Sequence, residues 1–306
     1  MLNGRHSELQ WRAMGGSVRG NSHDRAGLPN QDAILWRPDT GEGTPLIIAL
    51  SDGHGSAKSF RSEMGAKFAV QVAVALVSEY KSNKPELSNS SAIKRMAEEQ
   101  IPKGIVWSWQ KIVRNHLEQN PFTEEDILIL KEREGETAVN AIQNNPLLAY
   151  GATLLFALVT SQFVLLMQIG DGDIVVVGKD GKAEKPVVSD DRLFANATTS
   201  LCAEDAWKDF RFTFSVFGDS PPKMIMLSTD GYSNSFETEE GFLKIGTDIA
   251  AMIQDGKWDE VNSNLESWLA DASRQGSGDD ISLGILAPMD AKPMRFTIFD
   301  KWRTCH

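Results

Sequence analysis

Predicted strands run into an Asp-Gly pair at three places in this sequence. The pairs are Asp52-Gly53, Asp171-Gly172 and Asp230-Gly231. Two further acidic positions border predicted strands, because Asp32 precedes a strand at Ala33 and Asp279-Asp280 precedes one at Ile281. Any single pair is explained by an ordinary turn, since aspartate and glycine are common turn residues. The repetition indicates a site in which several carboxylates converge at one edge of a sheet.

Clustered carboxylates repel one another unless a cation neutralises them. Oxygen ligands favour hard divalent ions such as Mg²⁺ or Mn²⁺ over Zn²⁺. Two such ions, roughly 3.5 to 4 Å apart, activate a water and stabilise the attacking and leaving oxygens of a displacement at phosphorus. The chemistry that this set of residues favours is therefore phosphoester hydrolysis.

The elements that must position these residues come in blocks. Short apolar runs predict strands near residues 11–18, 33–36 and 45–50, then 152–160, 162–169 and 173–178, and finally 210–216, 224–228 and 281–287. We expect the middle three to be antiparallel strands. Four-residue apolar spacing predicts a long helix over 56–80, and helical patterns cover most of 92–145, 239–254 and 258–274. Thr123, followed by two acidic residues, predicts a helix start within the second of these ranges. Blocks of strands and helices favour an α+β layered fold over a doubly wound sheet.

Composition narrows the class of protein. The chain has 306 residues and a formal net charge of −11, which disfavours nucleic-acid binding. Two cysteines, Cys202 and Cys305, are too few for a disulfide framework. The N-terminus lacks a leader-like pattern and no apolar run is long enough to span a membrane. We therefore expect a cytoplasmic protein that binds neither nucleic acid nor membrane.

Six short motifs then occur in a specific order. They are Asn30-Gln31-Asp32-Ala33, Ser51-Asp52-Gly53-His54-Gly55, Gly151-Ala152-Thr153, Ile169-Gly170-Asp171, Ser228-Thr229-Asp230-Gly231 and Gly278-Asp279-Asp280-Ile281-Ser282. Each motif alone is weak, but the ordered set resembles the PP2C (PPM) family of metal-dependent serine/threonine protein phosphatases. The resemblance covers about residues 11–287 and implies a four-layer α-β-β-α sandwich of two antiparallel sheets flanked by helices. We expect one PP2C-like domain over 1–306, with 288–306 as a C-terminal extension.

The resemblance also implies roles for individual residues. Asp52 would bridge two divalent cations, Mg²⁺ or Mn²⁺, and Gly53 would offer its carbonyl to one of them. Asp230 and Asp279 would bind the other, Asp32 would act directly or through a water, and Asp171 would help hold a third, weaker ion. A hydroxide bridging two ions would attack the phosphoserine or phosphothreonine ester. His54 would protonate the leaving oxygen, a role that suits a group titrating near neutrality.

Two positions depart from the family pattern. Many members place a phosphate-binding arginine five residues before the first-motif aspartate, where this chain has Gly27. The candidates to replace it are Arg25, Arg19 and His23. The local sequence resembles that of a bacterial branch of the family that generally lacks the arginine. The last motif carries Asp280 where asparagine is more usual, which adds a negative charge near the metals.

Two rival functions remain open at this point. One is a catalytically weak PP2C-fold module that binds or regulates a partner, and the missing arginine favours it. The other is a phosphatase of a small phosphorylated metabolite. For the main hypothesis the partner is a phosphorylated protein, either a Ser/Thr kinase or the targets of one. Residues 92–145 form either a partner surface or a simple cover for a sheet, and a loop over 185–208 occupies the place of the family's variable flap.

Overall fold

The computed structural model describes residues 9–83, 90–188, 199–217 and 221–289. Eleven strands build two antiparallel sheets. Their bounds are β1 Trp11–Val18, β2 Ala33–Arg37, β3 Glu42–Gly43, β4 Leu46–Ser51, β5 Leu154–Val159, β6 Phe163–Ile169, β7 Asp173–Val177, β8 Ala183–Glu184, β9 Arg211–Val216, β10 Met224–Ser228 and β11 Ile281–Pro288. One sheet has the strand order β3-β1-β11-β10-β7-β8, and the other has the order β2-β4-β5-β6-β9.

Helices cover the outer face of each sheet. Their bounds are α1 Asn21–Ala26, α2 Ser62–Asn83, α3 Ser90–Arg95, α4 Ile101–Gln119, α5 Glu124–Asn144, α6 Asp230–Ser233, α7 Glu239–Gln254 and α8 Trp258–Gln275. Helix α2 packs on the five-stranded sheet, α4 packs against α2, and buried residues of α5 belong to the same hydrophobic cluster. Helices α7 and α8 pack on the six-stranded sheet. The predicted α+β sandwich of four layers is confirmed.

The core between the sheets follows from strand alternation. Leu46, Ile48 and Leu50 of β4 face the opposite sheet, where they meet residues such as Ile225 and Leu227. The alternate residues of β4 face α2 instead. Because both faces of this strand are covered, its sequence is a continuous apolar run rather than an alternating one.

The start of α5 shows how local sequence sets an element boundary. Thr123 Oγ1 accepts a hydrogen bond from the Asp126 amide, and the Thr123 amide donates to the Asp126 carboxylate. This reciprocal pair satisfies two amides that a helix start otherwise leaves without partners. The helix start predicted at Thr123 is therefore confirmed, and α5 bends at Gly135, whose φ is 78°.

The three strands predicted over 152–178 each pair with antiparallel neighbours, as expected, but they divide between the sheets, because β5 pairs with β6 while β7 pairs with β10. One expectation needs correction. The long helix expected from Ser56 begins only at Ser62, and a short 3₁₀ turn, Ala57–Ser59, precedes it. Residues 295–298, where the sequence does not decide whether a last strand forms, and the centre of the predicted flap, 189–198, lie outside the described residues.

Candidate metal centre and active site

Every predicted metal ligand lies at the same edge of the sandwich, and strand pairing explains why. In an antiparallel sheet the end of one strand adjoins the start of the next. Ser51 at the end of β4 pairs with Ala33 at the start of β2, and Ser228 at the end of β10 pairs with Asp173 at the start of β7. The carboxylates that follow or precede these positions therefore meet, although they are far apart in the sequence.

Three of these carboxylates form a compact group. One oxygen from each of Asp52, Asp171 and Asp230 lies within 4.8 Å of the others. Burial raises the pKa of Asp52 well above its usual range, and repulsion by neighbouring carboxylates raises it further. Burial, then repulsion by Asp171 and Asp279, raises the pKa of Asp230 to about 6. Oxygen ligands in this arrangement suit a hard divalent cation, which would remove the repulsion.

Local hydrogen bonds hold the Asp52 loop in place. The Asp52 amide donates to Thr153 Oγ1 over 3.0 Å, and the Thr153 amide donates to the Asp52 carbonyl over 2.8 Å. Gly53 follows in a tight space, since a Cβ atom there would lie 2.6 Å from the Gln31 carbonyl oxygen. Only glycine fits at this position, so the Asp-Gly pair is required by packing as well as by the turn.

Asp171 lies where the chain passes from one sheet to the other. The preceding strand β6 and the following strand β7 belong to different sheets. Gln168 Nε2 donates to the carbonyls of Gly170 and Gly172, on either side of the aspartate. The Gly170 amide donates to Thr199 Oγ1 over 3.0 Å. These bonds determine the path of the crossing loop and place Asp171 in the carboxylate group.

Asp32 and Asp279 occupy different depths around this group. Asp32 is buried, and its carboxylate accepts a hydrogen bond of 2.7 Å from Thr229 Oγ1. Asp279 lines the cavity described below, and about half of its side chain is exposed. Asn234 Nδ2 donates to the Asp230 carboxylate over 3.1 Å and so orients it. The structure thus brings Asp52, Asp171 and Asp230 into mutual contact distance, with Asp32 behind them and Asp279 at the rim.

Asp280 ties three chain segments together from a buried position. Its Oδ1 accepts from the Gly20 amide over 2.5 Å, and its Oδ2 accepts from the Gln31 amide over 2.6 Å. Its Oδ2 also lies 2.8 Å from Nδ1 of His23. A carboxylate only accepts hydrogen bonds, whereas an asparagine side chain also carries two donors. The aspartate that departs from the usual family residue is therefore the residue that these backbone donors require.

Replacing Asp280 with asparagine is expected to destabilise the fold. One side-chain NH₂ group would face a buried backbone amide, and a buried polar group without a partner costs about 1–3 kcal/mol. Urea unfolding of the chelated protein would measure the change in free energy of unfolding. Asp255→Asn, at an exposed position next to α7, is the matched control and should change it by less than about 0.5 kcal/mol. Equal stability of both variants would contradict this role for Asp280.

A cavity of about 860 Å³ opens directly over the three carboxylates. His54 lines it, and its Nε2 atom is buried without a hydrogen-bond partner among the described residues. Burial lowers the pKa of His54, and the nearby Asp171 carboxylate opposes that effect. The imidazole is therefore placed at the metal edge of the cavity, within the space a substrate would enter.

The residues proposed from the sequence to bind phosphate are placed differently. His23 lines the cavity, but its Nδ1 is engaged by Asp280. Arg25 is exposed on α1 and is not among the residues that line the cavity. Gly27 ends α1 in the left-handed region at φ 68°, and a Cβ there would touch nothing within 4 Å. An arginine at this position would be strained, which accounts for glycine there.

Several residues at the site were not singled out from the sequence. Asn234 and Lys58 are the clearest, since the first orients Asp230 and the second lines the cavity. Lys58 lies four residues beyond His54, so its closeness to the Asp-Gly-His motif was the available signal. Asn234 lies four residues beyond Asp230, so the same kind of signal was available for it.

Comparison with known proteins places the chain in a family. The family model described as Protein phosphatase 2C matches residues 19–270, so the chain belongs to the protein phosphatase 2C family. No curated protein sequence matches it. Across the described residues, no helix is both long and apolar enough to cross a membrane.

Solved structures share the fold at low sequence identity. The serine/threonine phosphatase Stp1 from Staphylococcus aureus is 16% identical, with a TM-score of 0.57 over 94% of this chain and 100% of that one. PppA, a regulatory component of T6SS in Pseudomonas aeruginosa, is 14% identical, with a TM-score of 0.55 over 91% and 98%. The catalytic domain of PstP, solved with two manganese ions, is 16% identical, with a TM-score of 0.52 over 92% and 100%.

Proposed function

We propose that this protein acts as a metal-dependent serine/threonine protein phosphatase, hydrolysing phosphoserine and phosphothreonine in phosphoproteins. One observation carries the proposal: Asp52, Asp171 and Asp230, from three strand ends, present oxygens within 4.8 Å of one another at the base of a cavity. Membership of the protein phosphatase 2C family, matched over residues 19–270, supports the same reaction class.

Asp52, Asp171 and Asp230 would hold divalent cations, with Asp279 and the Gly53 carbonyl as further ligands. Asp32 would act from behind, directly or through a water. When bound, such ions activate water for attack at phosphorus and neutralise developing charge. The two manganese ions in the PstP structure favour Mn²⁺ as the first ion to test, and Mg²⁺ is the alternative. A third, weaker ion near Asp171 stays a prediction.

Residues of the chain itself would donate the proton and hold the metal ligands in position. His54 lies at the metal edge with a buried Nε2 that has no partner in the described part of the chain, so a leaving alkoxide oxygen can take its proton there. The Asp52 amide donates to the Thr153 hydroxyl, and the Asp52 carbonyl accepts from the Thr153 amide. These two bonds hold the main chain of Asp52, so its ligand oxygens need no rearrangement. Asn234 does the same for Asp230 through a side-chain bond.

Hydrolysis of a phosphothreonine peptide by the purified protein tests this function directly. We expect phosphate release with added Mn²⁺ and none after chelation, with activity restored when the ion is returned. A folded, Mn²⁺-binding protein that releases no phosphate would contradict the proposal and favour the binding-module alternative. Faster turnover of nucleotides than of phosphopeptides would instead favour a phosphatase of small metabolites.

The sequence also indicates a substrate, a domain organisation and a location, which we propose here. The substrate would be a Ser/Thr kinase or its targets, and neither nucleic acid nor membrane is proposed as a partner. The single-domain assignment over 1–306 and the cytoplasmic location likewise stay predictions, the second resting on the low cysteine count.

A further inference from the structure

The cavity over the carboxylates presents an electrostatic difficulty for its proposed substrate. Five aspartates line it: Asp52, Asp171, Asp209, Asp230 and Asp279. A phosphorylated side chain brings a further charge of about −1.5 to −2 at pH 7. The lining is therefore rich in carboxylates, and a phosphoryl group adds to their negative charge. A positive charge on the wall of the cavity would favour binding of that group.

Lys58 supplies such a charge. Among the described residues that line the cavity, it is the only lysine or arginine. It lies on the 3₁₀ turn Ala57–Ser59, four residues beyond His54. His54 and Cys202 line the same cavity, and burial lowers the pKa of His54 and raises the pKa of Cys202. The nearby Lys58 charge adds to the first effect and opposes the second. The ammonium is thus close to the metal edge and to the neighbouring wall.

The backbone that carries Lys58 is anchored, while its ammonium is not engaged by a carboxylate. The Lys58 amide donates to Glu134 of α5 over 3.3 Å, and Ser59 Oγ donates to the Leu148 carbonyl over 3.0 Å. No carboxylate of the described residues lies within ion-pairing distance of the Lys58 ammonium, whereas Lys67, Lys185 and Lys244 each form such pairs. A half-buried lysine without a carboxylate partner in the described part of the chain is available to bind an incoming anion.

The alternative cations are excluded by their positions. Arg19 pairs with Asp24 and does not line the cavity, and Arg25 is exposed on α1 and does not line it either. His23 lines the cavity, but Asp280 holds its Nδ1 and Asp279 lies 3.8 Å from its Nε2. Both carboxylates engage this imidazole within the fold, so it is a weaker candidate than Lys58.

We infer that Lys58 binds the phosphoryl group of the substrate, and of the phosphate product, in place of the arginine that this chain lacks at Gly27. This assignment rests on the proposed phosphatase function. A lysine ammonium suits the role because it acts as a compact point charge for phosphate, with three donors on a flexible stem. Lys58 would therefore determine affinity for the phosphorylated side chain rather than affinity for the metal.

Three variants separate this role from a general loss of charge. Lys58→Met keeps the aliphatic stem, Lys58→Arg keeps the charge, and Lys244→Met removes the same charge from α7, away from the cavity. With Mn²⁺ and a phosphothreonine peptide, Lys58→Met should raise KM about 10- to 100-fold, the scale of one hydrogen bond to a charged group. Lys58→Arg should recover most of that loss, and Lys244→Met should match the unchanged protein.

A binding measurement keeps the inference independent of turnover. Calorimetric titration of the Mn²⁺-loaded protein with inorganic phosphate should show the same 10- to 100-fold weakening in Lys58→Met, about the loss expected for one charged hydrogen bond. Affinity for Mn²⁺ alone, measured in the same way, should stay unchanged. Weaker phosphate binding in a protein without phosphatase activity would uphold Lys58 and overturn only the proposed reaction. Equal phosphate affinity and equal KM in Lys58→Met and Lys244→Met would overturn the assignment, as would loss of Mn²⁺ binding in Lys58→Met.

Discussion

Asp52→Asn is expected to lower the rate of phosphopeptide hydrolysis by about a thousandfold or more, since loss of a residue that merely orients a metal ligand already costs about 10- to 100-fold. Asp52 contributes a carboxylate oxygen to the group with Asp171 and Asp230. Asparagine keeps the shape of the side chain and leaves the main-chain bonds to Thr153 unaffected. The measurement is kcat/KM for a phosphothreonine peptide at saturating Mn²⁺.

The surface variant Asp205→Asn is the control, because it removes the same charge at an exposed position. Thermal unfolding with and without Mn²⁺ gives a second measurement that does not depend on activity. The stabilisation by Mn²⁺ should be present in the control and absent or much reduced in Asp52→Asn. An Asp52→Asn protein with full activity would show that the metal centre has been assigned to the wrong residues.

Asp52→Asn should also stabilise the chelated protein at neutral pH. Asp230 has a pKa raised from 3.8 to about 6, so the folded state binds more protons than the unfolded state between these values. Stability of the chelated protein therefore falls as the pH rises from about 4 through about 6, the range set by this shift. Burial raises the pKa of Asp52 as well, so replacing Asp52 with asparagine should remove its share of this decline and flatten it. Urea unfolding at pH 4.5 and at pH 7 would measure both slopes.

His54→Gln is expected to lower kcat for a phosphothreonine peptide by about 10²- to 10⁴-fold, the usual contribution of a general acid. The effect should depend on the leaving group. An alkoxide needs a proton as the ester bond breaks, whereas the phenolate of p-nitrophenyl phosphate leaves without one. Turnover of p-nitrophenyl phosphate should therefore be nearly unchanged, and the comparison of the two substrates is the measurement.

The control for this experiment must lie outside the site. Gln168→Glu does not qualify, because the Gln168 side chain positions the Asp171 loop. His116→Gln is better matched, since His116 is on α4 and lies away from the cavity lining. It should leave the activity on both substrates intact. An equal loss on both substrates in His54→Gln would indicate a defect in metal or phosphate binding rather than in proton donation.

Much of the fold was predictable from local patterns. Apolar runs placed the strands around Trp11–Val18, Met224–Ser228 and Ile281–Pro288 within a residue or so of their ends. Thr123 marked the start of α5, because a hydroxyl cap and early acidic residues act within a single turn. Such signals depend on neighbours close in sequence, and a sequence displays them directly.

The pairing partners of each strand were harder to predict from the sequence. The three strands over 152–178 were predicted to be antiparallel, but their sequence does not show that β7 pairs with β10 in the opposite sheet. Gly170, Asp171 and Gly172 look like a hairpin turn in the sequence and are a crossing between sheets in the structure. A short glycine-containing loop is compatible with both outcomes, and only the packing of the two sheets selects one.

The set of metal-binding candidates was determined by the sequence, because each carboxylate is attached to the end or start of its own strand and antiparallel pairing brings those ends to one edge. The tertiary structure decided what surrounds them. The Asp280 carboxylate accepts a hydrogen bond from the Gly20 amide across a separation of 260 residues in sequence. Lys58 lines one cavity together with residues from loops that are distant in sequence. Contacts of this kind depend on how the layers pack, so no local pattern of residues predicts them.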